Sequence, residues 1–357
     1  YRTAGVDGAL AAAALPDGGF VVGGFTDGGI GLGDWTNAFP LLLRVTAAGA
    51  IDASTVYRDL GFGGVAGVTA SDQGLAVLVQ TADYDATGVV APDLALYRTR
   101  LDGRRQERLA ALGARFPVRE PLHRTRDGGF LVTTLRATVT GPDLVKLDAT
   151  GSPIWTYHLP DAQDVRAAAE GSDGDLFVLG VRDDSRHLEI ARLSPSGDER
   201  WRRTYGTDEL RTATAIAASH GAVLVLGTRA RPEPGVVALV VTRFSGAGEP
   251  EWERVFDSGD LAATVMTALP SGGVAFAYTA RHGDPAAGSR AWVVRLSVDG
   301  TERWRNSFGP DRGTSFVRSV LALGDGRVAA VGSVGPEPIA GYGGDDFDVL
   351  AVFYEDT

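Results

Sequence analysis

The sequence predicts an all-β fold: a seven-bladed β-propeller of four-stranded antiparallel blades, closed by the N-terminal strand in the last blade. Three observations predict it. A turn-and-strand pattern occurs seven times at intervals of 46 to 55 residues, and a second pattern follows each of the first six. The seventh unit is incomplete, and its missing strand resembles the first residues of the chain. Repeats of this length are typical of folds in which each unit buries its apolar faces against its neighbours.

The first pattern is a polar turn that leads into an apolar strand. Its instances are DGGFVVGG from Asp17, DQGLAVLV from Asp72, DGGFLVTT from Asp127, DGDLFVLG from Asp173, HGAVLVLG from His220, SGGVAFAY from Ser271 and DGRVAAVG from Asp325. Gly, Asp and Ser are common in tight turns, whereas β-branched and aliphatic residues favour strands. The pattern therefore predicts one hairpin in each unit.

The second pattern is an aliphatic run that ends in a basic residue, with a Gly five positions later. The basic residues are Arg44, Arg98, Lys146, Arg192, Arg243 and Arg295. In four units a Trp follows four residues beyond the Gly, at Trp155, Trp201, Trp252 and Trp304. Because these residues recur once per unit, we expect them to hold neighbouring blades together, the Trp side chains by packing and the basic ones by hydrogen bonds or salt bridges.

Each unit is thus predicted to hold four strands, A to D. Strand A is rich in small residues, B is apolar, C ends at the Gly, and D carries the Trp. Residues 102–116 favour a helix by local propensity, but the register of the repeat places them in strand D of the second blade. Pairing with neighbouring strands commonly overrides propensity, so we predict a strand there.

The two ends of the chain complement each other. The seventh unit supplies strands A, B and C only, and residues 1–5 (YRTAG) align with the RNSFG that follows Trp304. We predict that residues 1–5 form the outer strand of the last blade, because an unpaired strand edge promotes aggregation. The blades of this single domain are predicted at about residues 6–61, 62–116, 117–161, 162–207, 208–258, 259–310 and 311–357 with 1–5.

The charge balance excludes several partners. The net charge is −11, and an acidic surface repels both nucleic-acid phosphates and anionic lipid. The chain has no Cys, which excludes disulfides and thiolate chemistry. It also has no run of 18 or more apolar residues. We expect no nucleic-acid partner and no direct membrane insertion.

Two motifs carry a family resemblance. Asp148, Gly151 and Trp155 form a D-x-x-G-x-x-x-W segment that resembles the repeats of quinoprotein-like propellers, as do SPSGDERW and SVDGTERW. The DGGF turns resemble the delta-60-type repeats of bacterial and archaeal surface propellers. The resemblance implies a seven-bladed propeller outside the cell or in its envelope, and implies no activity because such motifs are structural. Two enzyme classes are disfavoured. Quinone-dependent dehydrogenases of this superfamily typically have eight blades and vicinal Cys, whereas this chain has seven units and no Cys, and the Asp box of sialidases differs in register from SVDGTERW.

The working surface is predicted from loop lengths. The A–B and C–D connections are short and uniform, whereas the B–C and D–A connections vary, and variable loops on a rigid scaffold commonly carry binding residues. We name their side of the ring the loop face, and the opposite side the turn face. The candidate binding residues of the loop face are Asp34, Trp35, Phe39, Tyr84, His282 and Tyr342. The alternative is that the aromatic ones cover the core.

Metal and cofactor sites have little support in the sequence. Asp345, Asp346 and Asp348 could supply oxygen ligands to Ca²⁺, as could Asp183 with Asp184, but no EF-hand spacing is present. The alternative is that these aspartates belong to solvated turns. The five His residues show no zinc-ligand spacing. We predict no cofactor other than, at most, Ca²⁺.

These observations favour a non-enzymatic binding or scaffold protein, exported or at the cell surface, that contacts a protein or polysaccharide through the loop face. One alternative is an enzyme that acts on a carbohydrate or small molecule at the channel mouth, where loops of all blades converge. It requires two carboxylates, or a carboxylate with His or Tyr, within hydrogen-bond reach there. Another alternative is a structural subunit of a surface assembly.

Overall fold

The structure is a computed structural model. It describes residues 7–26, 38–71, 73–85, 88–113, 115–136, 142–159, 162–182, 187–205, 210–230, 237–257, 261–281, 288–309, 313–335 and 348–354. Within these ranges the only helical segment is a single 3-10 turn, Arg58–Leu60, and every other regular element is a β-strand. No helix in the described part of the chain is long and apolar enough to cross a membrane.

The strands follow one another along the chain in groups of four. Those of the first three groups are β1 (Asp7–Ala14), β2 (Phe20–Thr26), β3 (Phe39–Val45), β4 (Ile51–Val56), β5 (Gly63–Ser71), β6 (Gly74–Asp85), β7 (Gly88–Thr99), β8 (Arg105–Gly113), β9 (Arg115–Arg124), β10 (Phe130–Arg136), β11 (Pro142–Leu147) and β12 (Pro153–His158). The next two groups are β13 (Ala162–Glu170), β14 (Leu176–Arg182), β15 (Leu188–Leu193), β16 (Glu199–Tyr205), β17 (Leu210–Ser219), β18 (Ala222–Ala230), β19 (Val237–Ser245) and β20 (Pro250–Asp257). The last are β21 (Leu261–Ala268), β22 (Val274–Arg281), β23 (Gly288–Leu296), β24 (Glu302–Phe308), β25 (Gly313–Ala322), β26 (Val328–Gly335) and β27 (Asp348–Tyr354).

Each of the first five groups of four strands is one antiparallel sheet in sequence order, and β21 to β24 pair in the same order within a larger sheet, so the strands A to D of the repeat are consecutive. The seventh blade contains β25, β26 and β27, and a short parallel pairing of β23 with β25 joins it to the sixth. The predicted seven-bladed propeller is confirmed. The helix-prone segment 102–116 forms strand β8, as the register predicted. Residues 1–5, the predicted closing strand, lie outside the described residues.

The recurring Asp and Gly residues close the short turns. In the first A–B turn the Leu15 amide donates to the Gly19 carbonyl at 2.9 Å, and the Gly18 amide donates to the Leu15 carbonyl at 3.1 Å. Gly18 has a φ of +82°, which favours glycine, and Asp17 Oδ1 accepts from the Gly19 amide at 3.0 Å. The same pair of backbone hydrogen bonds recurs in the C–D turns, for example between Thr46 and Ala50 and between Gly49 and Thr46.

Among the described residues the hydrophobic core forms seven clusters, one between each pair of neighbouring blades. The cluster between the last and first blades contains Phe20 and Leu43 of the first and Ala329 and Val331 of the last. In addition, the Ala9 amide donates to Ser333 Oγ at 3.1 Å across the same boundary. The ring is therefore closed by packing of described residues.

The predicted role of the Trp residues is confirmed for three blades. Trp155, Trp201 and Trp252 donate from Nε1 to a carbonyl in the C–D turn of the next blade, at Pro195, Gly246 and Val298. Each acceptor lies two residues before the Gly of its turn. A Cβ on Gly197 would lie 2.8 Å from Trp155 Cδ2, so that Gly is required by the indole of the preceding blade as well as by its own φ of +89°.

The basic residues of strand C make two kinds of contact, hydrogen bonds to the next blade and salt bridges within their own blade. Arg98, Arg192 and Arg243 donate to the next blade, to the carbonyls of Ala149, Gly246 and Val298, which are again two residues before a turn Gly. Arg44 and Arg192 also form salt bridges with the A–B turn aspartate of their own blade. The predicted inter-blade role is thus confirmed for the three arginines named first.

The seam between the last and first blades departs from this rule. Phe353 pairs with Ala329 of β26 as Arg295 pairs with Ala275 of β22, so it occupies the position of the basic residue in blade seven. Arg327, in the A–B turn directly before β26, replaces it: its Nη2 donates to the Ala47 carbonyl of blade one at 3.0 Å, and its guanidinium lies 5.0 Å from the Phe353 ring centre. The turn carbonyl is therefore bound at this seam too, by an arginine of the A–B turn.

Candidate functional site

An aromatic–arginine cluster lies on the loop face of blade one. Phe39 begins β3 directly after the B–C loop, and the D–A connection folds against it, because the Tyr57 amide donates to Pro40 and the Gly63 amide to Ala38. The Phe39 and Phe62 rings are 5.1 Å apart, and the Arg58 guanidinium lies 4.7 Å from the Phe39 ring centre. We name these three residues the Phe39 cluster. Phe39 is half-buried, Arg58 is exposed, and Phe62 is 37% exposed.

The connection that carries Arg58 is fixed to the next blade. Tyr57 is buried, and its hydroxyl donates to the Gly103 carbonyl of the second blade at 2.6 Å. Burial raises the pKa of Tyr57, so the hydroxyl remains a donor at any physiological pH. Asp59 forms a salt bridge with Arg105 of β8. The connection that carries Arg58 and Phe62 is therefore fixed both to strand β3 of blade one and to blade two.

A cavity of 410 Å³ opens on the turn face. Its walls come from five consecutive blades, represented by Arg126, Glu170, His220, Leu269 and Ala322. Strand A is the innermost strand, and the lining residues lie at its end or in the following turn. Since five blades meet only around the axis, this cavity is the turn-face mouth of the central channel.

A second cavity of 290 Å³ lies between blades three and four and shares Arg126, Glu170 and Ser172 with the mouth. Lys146, the only lysine of the chain, lines it but is 2% exposed. Its ammonium donates to Thr125 Oγ1 at 2.6 Å, to Asp127 Oδ1 at 2.8 Å and to the Leu147 carbonyl at 3.4 Å. All three donor hydrogens are used, so Lys146 is a structural residue.

The electrostatics of this cavity follow from these contacts. Burial raises the pKa of Asp127, but hydrogen bonds from Lys146 and Thr125 outweigh it and hold the pKa at about 2. Burial also raises the pKa of Glu170, although its Oε2 accepts from the Arg126 amide at 2.9 Å. Asp127 is therefore ionised at neutral pH and neutralises the buried ammonium.

Most of the sequence-predicted site residues lie outside the described part of the chain. They are Asp34, Trp35, His282, Tyr342, Asp345 and Asp346, together with Asp183 and Asp184. Tyr84 belongs to β6 and pairs with Val89, and Asp348 begins β27 and pairs with Val334. Among the described residues no group of three or more His, Asp or Glu side chains could hold a metal ion. Of the predicted binding residues, only Phe39 is seen in a defined side-chain environment.

The sequence analysis missed the partners of Phe39 and the turn-face mouth. Arg58 and Phe62 lie in a connection where no repeat marks them, and Arg126, Glu170 and His220 come from three different blades. One signal was available: the position eight residues after the Gly of the second pattern is large and apolar or Tyr in five of the six units, whereas the second unit has Ala111 there. The five residues are Tyr57, Leu159, Tyr205, Phe256 and Phe308. Tyr57 and Tyr205 both donate to the carbonyl of the turn Gly in the next blade.

No family model matches the sequence, and no curated protein is significantly similar to it. Solved structures are similar in fold. The WD40 domain of coronin from Toxoplasma gondii has 11% identity and a TM-score of 0.55, covering 99% of this chain and 82% of that one. Sqt1 from Chaetomium thermophilum has 10% identity and a TM-score of 0.51, covering 92% of this chain and 94% of that one. The propeller domain of the Trilobed protease from Pyrococcus furiosus, described as having an open velcro topology, has 8% identity and a TM-score of 0.52, covering 93% of this chain and 90% of that one. At these identities the likeness concerns the β-propeller fold alone.

Proposed function

We propose that this propeller is a binding or scaffold protein that contacts a protein partner through the loop face, with the Phe39 cluster as part of the contact. The observation that carries the proposal is the exposed Arg58 and Phe62 beside Phe39. Arginine and aromatic side chains are enriched at protein interfaces relative to the rest of the protein surface. A cluster held in place by blades one and two has this composition.

The arrangement of the framework supports the same proposal. Hydrogen bonds between blades concentrate at the C–D turns, where the Trp, Arg and Tyr side chains of one blade bind the turn carbonyls of the next. A rigid ring of this kind holds loops in fixed relative positions, which lowers the entropic cost of binding. The polysaccharide alternative uses the same face, since aromatic rings also pack against sugars.

The proposal extends to the location of the protein. We place it outside the cell or in its envelope, on the resemblance of its DGGF turns and D-x-x-G-x-x-x-W segments to surface and quinoprotein-like propellers. The acidic net charge of −11 favours partners with basic contact surfaces, because opposite charges accelerate encounter.

The experiment is affinity capture from the envelope fraction of the source organism, with wild-type protein beside an Arg58→Ala/Phe62→Ala variant. The matched control is Val298→Ala, which removes an apolar side chain that is 47% exposed in the C–D turn of blade six. We expect a partner that is retained by the wild type and the control and lost by the double variant. Retention of the same proteins by all three, with equal thermal stability, would remove the Phe39 cluster from the contact. Glycan arrays with the same variants separate the polysaccharide alternative.

A further inference from the structure

The turn-face mouth lies at the opposite end of the channel from the Phe39 cluster and takes no part in the function proposed above. Its cavity of 410 Å³ has two unlike walls. Arg126, Glu170, Ser172 and His220 of blades three to five form the polar wall, whereas Leu269 and Ala322 belong to the apolar wall of blades six and seven. A cavity with one polar and one apolar wall is typical of sites for small amphipathic molecules.

His220 is held in an unusual backbone conformation at this mouth. The A–B turn of blade five has only two residues between Ser219 and Ala222, so both must have positive φ: +48° for His220 and +72° for Gly221. Asn is the common residue at the first position of such turns. His220 is the only non-glycine residue with positive φ in the described part of the chain. Strain of this kind concentrates at functional sites.

The orientation of the His220 ring follows from its neighbours. Ser219 is buried, and its hydroxyl donates to the Gly272 carbonyl of blade six at 3.0 Å. The hydroxyl has one hydrogen, so in the 3.2 Å contact with His220 the ring nitrogen Nδ1 is the donor. The ring is also packed on the next turn, since a Cβ on Gly272 would lie 3.1 Å from Nδ1. Nε2 is therefore the ring nitrogen left for a ligand.

Arg126 is oriented in a similar way. Its Nη1 donates to the Ser172 carbonyl at 2.8 Å, and its amide donates to Glu170. The cations beside other A–B turns, which are Arg44, Lys146, Arg192 and Arg327, instead pair with turn carboxylates of their own blades. Glu170 brings the opposite charge to the same wall, but the Ser172 carbonyl that holds the Arg126 guanidinium leaves this guanidinium further N–H donors. Such a group binds carboxylates well.

We propose that the turn-face mouth is a binding site for a carboxylate attached to a short aliphatic group. The carboxylate lies against the Arg126 guanidinium, and the aliphatic part lies against Leu269 and Ala322. Because Nδ1 is the donor to Ser219, Nε2 of the His220 ring is an acceptor, so it receives the amide N–H of a peptide ligand and not the carboxylate. A cavity of 410 Å³ accommodates the carboxylate and several methylene groups. Two sources carry this chemistry: a free aliphatic acid and the C-terminus of a peptide that ends in a small apolar residue.

The test is ligand-observed NMR on the whole chain with butyrate, and with butyramide and acetate as matched probes. We expect saturable butyrate binding with a Kd on the order of millimolar, because a ligand with so few atoms can gain only a small binding free energy. Butyramide, which lacks the charge, binds at least tenfold more weakly, and acetate binds several-fold more weakly because it lacks the apolar contact. N-acetyl-Gly-Gly-Val and its C-terminal amide distinguish the sources. Tighter binding of the free peptide than of butyrate identifies a peptide C-terminus, and the reverse identifies a free acid.

Three variants locate the site. Arg126→Gln is expected to abolish butyrate binding. His220→Asn, which suits the positive φ of the turn, removes the Nε2 acceptor and is expected to weaken the binding of N-acetyl-Gly-Gly-Val but not that of butyrate. Arg104→Gln is the control, because Arg104 lies in the C–D turn of blade two with its side chain 78% exposed. Equal loss in Arg104→Gln and Arg126→Gln would reduce the effect to net charge and overturn the proposal. Absence of butyrate binding, or equal binding of butyramide, would also overturn it. Neither result bears on the Phe39 cluster.

Discussion

Trp201 Nε1 donates a hydrogen bond of 3.1 Å to the Gly246 carbonyl of the next blade. The same carbonyl accepts from Arg192 Nη1 at 2.7 Å, so one backbone oxygen receives both side chains that the repeat pattern marks in blade four. Trp252 and Arg243 meet in the same way on the Val298 carbonyl. In blades four and five both sequence motifs therefore bind the C–D turn of the following blade.

Trp201→Phe is expected to lower the free energy of unfolding by about 1 kcal/mol, because the ring stays packed while the hydrogen bond is lost. The comparison is Trp292→Phe, since Trp292 stacks on Tyr278 at 6.5 Å and is not one of the register-matched Trp residues. Urea denaturation of both variants measures the difference. Equal losses would mean that the Nε1 hydrogen bond contributes nothing beyond ring packing.

Gly197→Ala is expected to destabilise the protein by about 2–4 kcal/mol. About 1 kcal/mol arises from a non-glycine residue at positive φ, and the remainder from the clash of Cβ with Trp155. Gly326→Ala is the matched variant, since Gly326 has a φ of +87° against +89° for Gly197, but a Cβ added there would meet no atom within 4 Å. Gly326→Ala should therefore lower the free energy of unfolding, measured by thermal unfolding, only by the cost of the positive φ, about 1 kcal/mol. Similar losses would exclude the indole contact as a reason for glycine in this turn.

Asp127→Asn leaves the buried Lys146 ammonium without its counter-charge, and we expect a loss of about 2 kcal/mol near neutral pH. The pKa of Asp127 is about 2, below its ordinary value of 3.8. The wild-type pair therefore contributes fully to the free energy of unfolding above a pH of about 4, and this contribution is lost as the pH falls towards 2. The stability difference between wild type and variant should shrink over that window. Asp17→Asn is the control, because its partner Arg44 is 25% exposed and keeps Asp52. A difference that does not change with pH would contradict the assignment.

Closure by the N-terminal strand is testable because the chain has no native Cys. Phe353 corresponds to Arg295 of blade six, and residues 1–5 align with residues 305–309, so the pairing of Val293 with Asn306 predicts that Arg2 lies opposite Ala351. An Arg2→Cys/Ala351→Cys variant should form an intramolecular disulfide under mild oxidation, detected as a mobility shift on non-reducing gels. An Arg2→Cys/Arg104→Cys variant should not. Equal cross-linking of both pairs, or of neither, would contradict the predicted register.

The blades were predictable because each unit solves the same packing problem with the same residues. The intervals between turns, the Gly of positive φ and the Trp four residues later all depend on contacts that recur from blade to blade. For this reason the register of the repeat predicted β8 correctly where local propensity favoured a helix.

The candidate sites were harder to predict, because they depend on contacts that do not recur. His220 and Arg126 line one cavity only because strands A of different blades converge on the channel, and nothing in the sequence pairs them. Arg327 binds the turn of blade one from the A–B turn before strand B, a position at which the other blades have no such arginine contact among the described residues. Phe39 was identified as a candidate, but its neighbours Arg58 and Phe62 lie in a connection without a repeat motif.

The central claim is that partners bind at the loop face around the Phe39 cluster. A photo-reactive phenylalanine analogue at position 62, compared with one at position 298, tests it most directly, because Phe62, in a D–A connection, and Val298, in a C–D turn of a distant blade, are 37% and 47% exposed. Irradiation in the envelope fraction should cross-link a distinct partner from position 62 and not from position 298. Cross-linking of the same partner from position 298 alone, or equally from both, would contradict the assignment of the binding face.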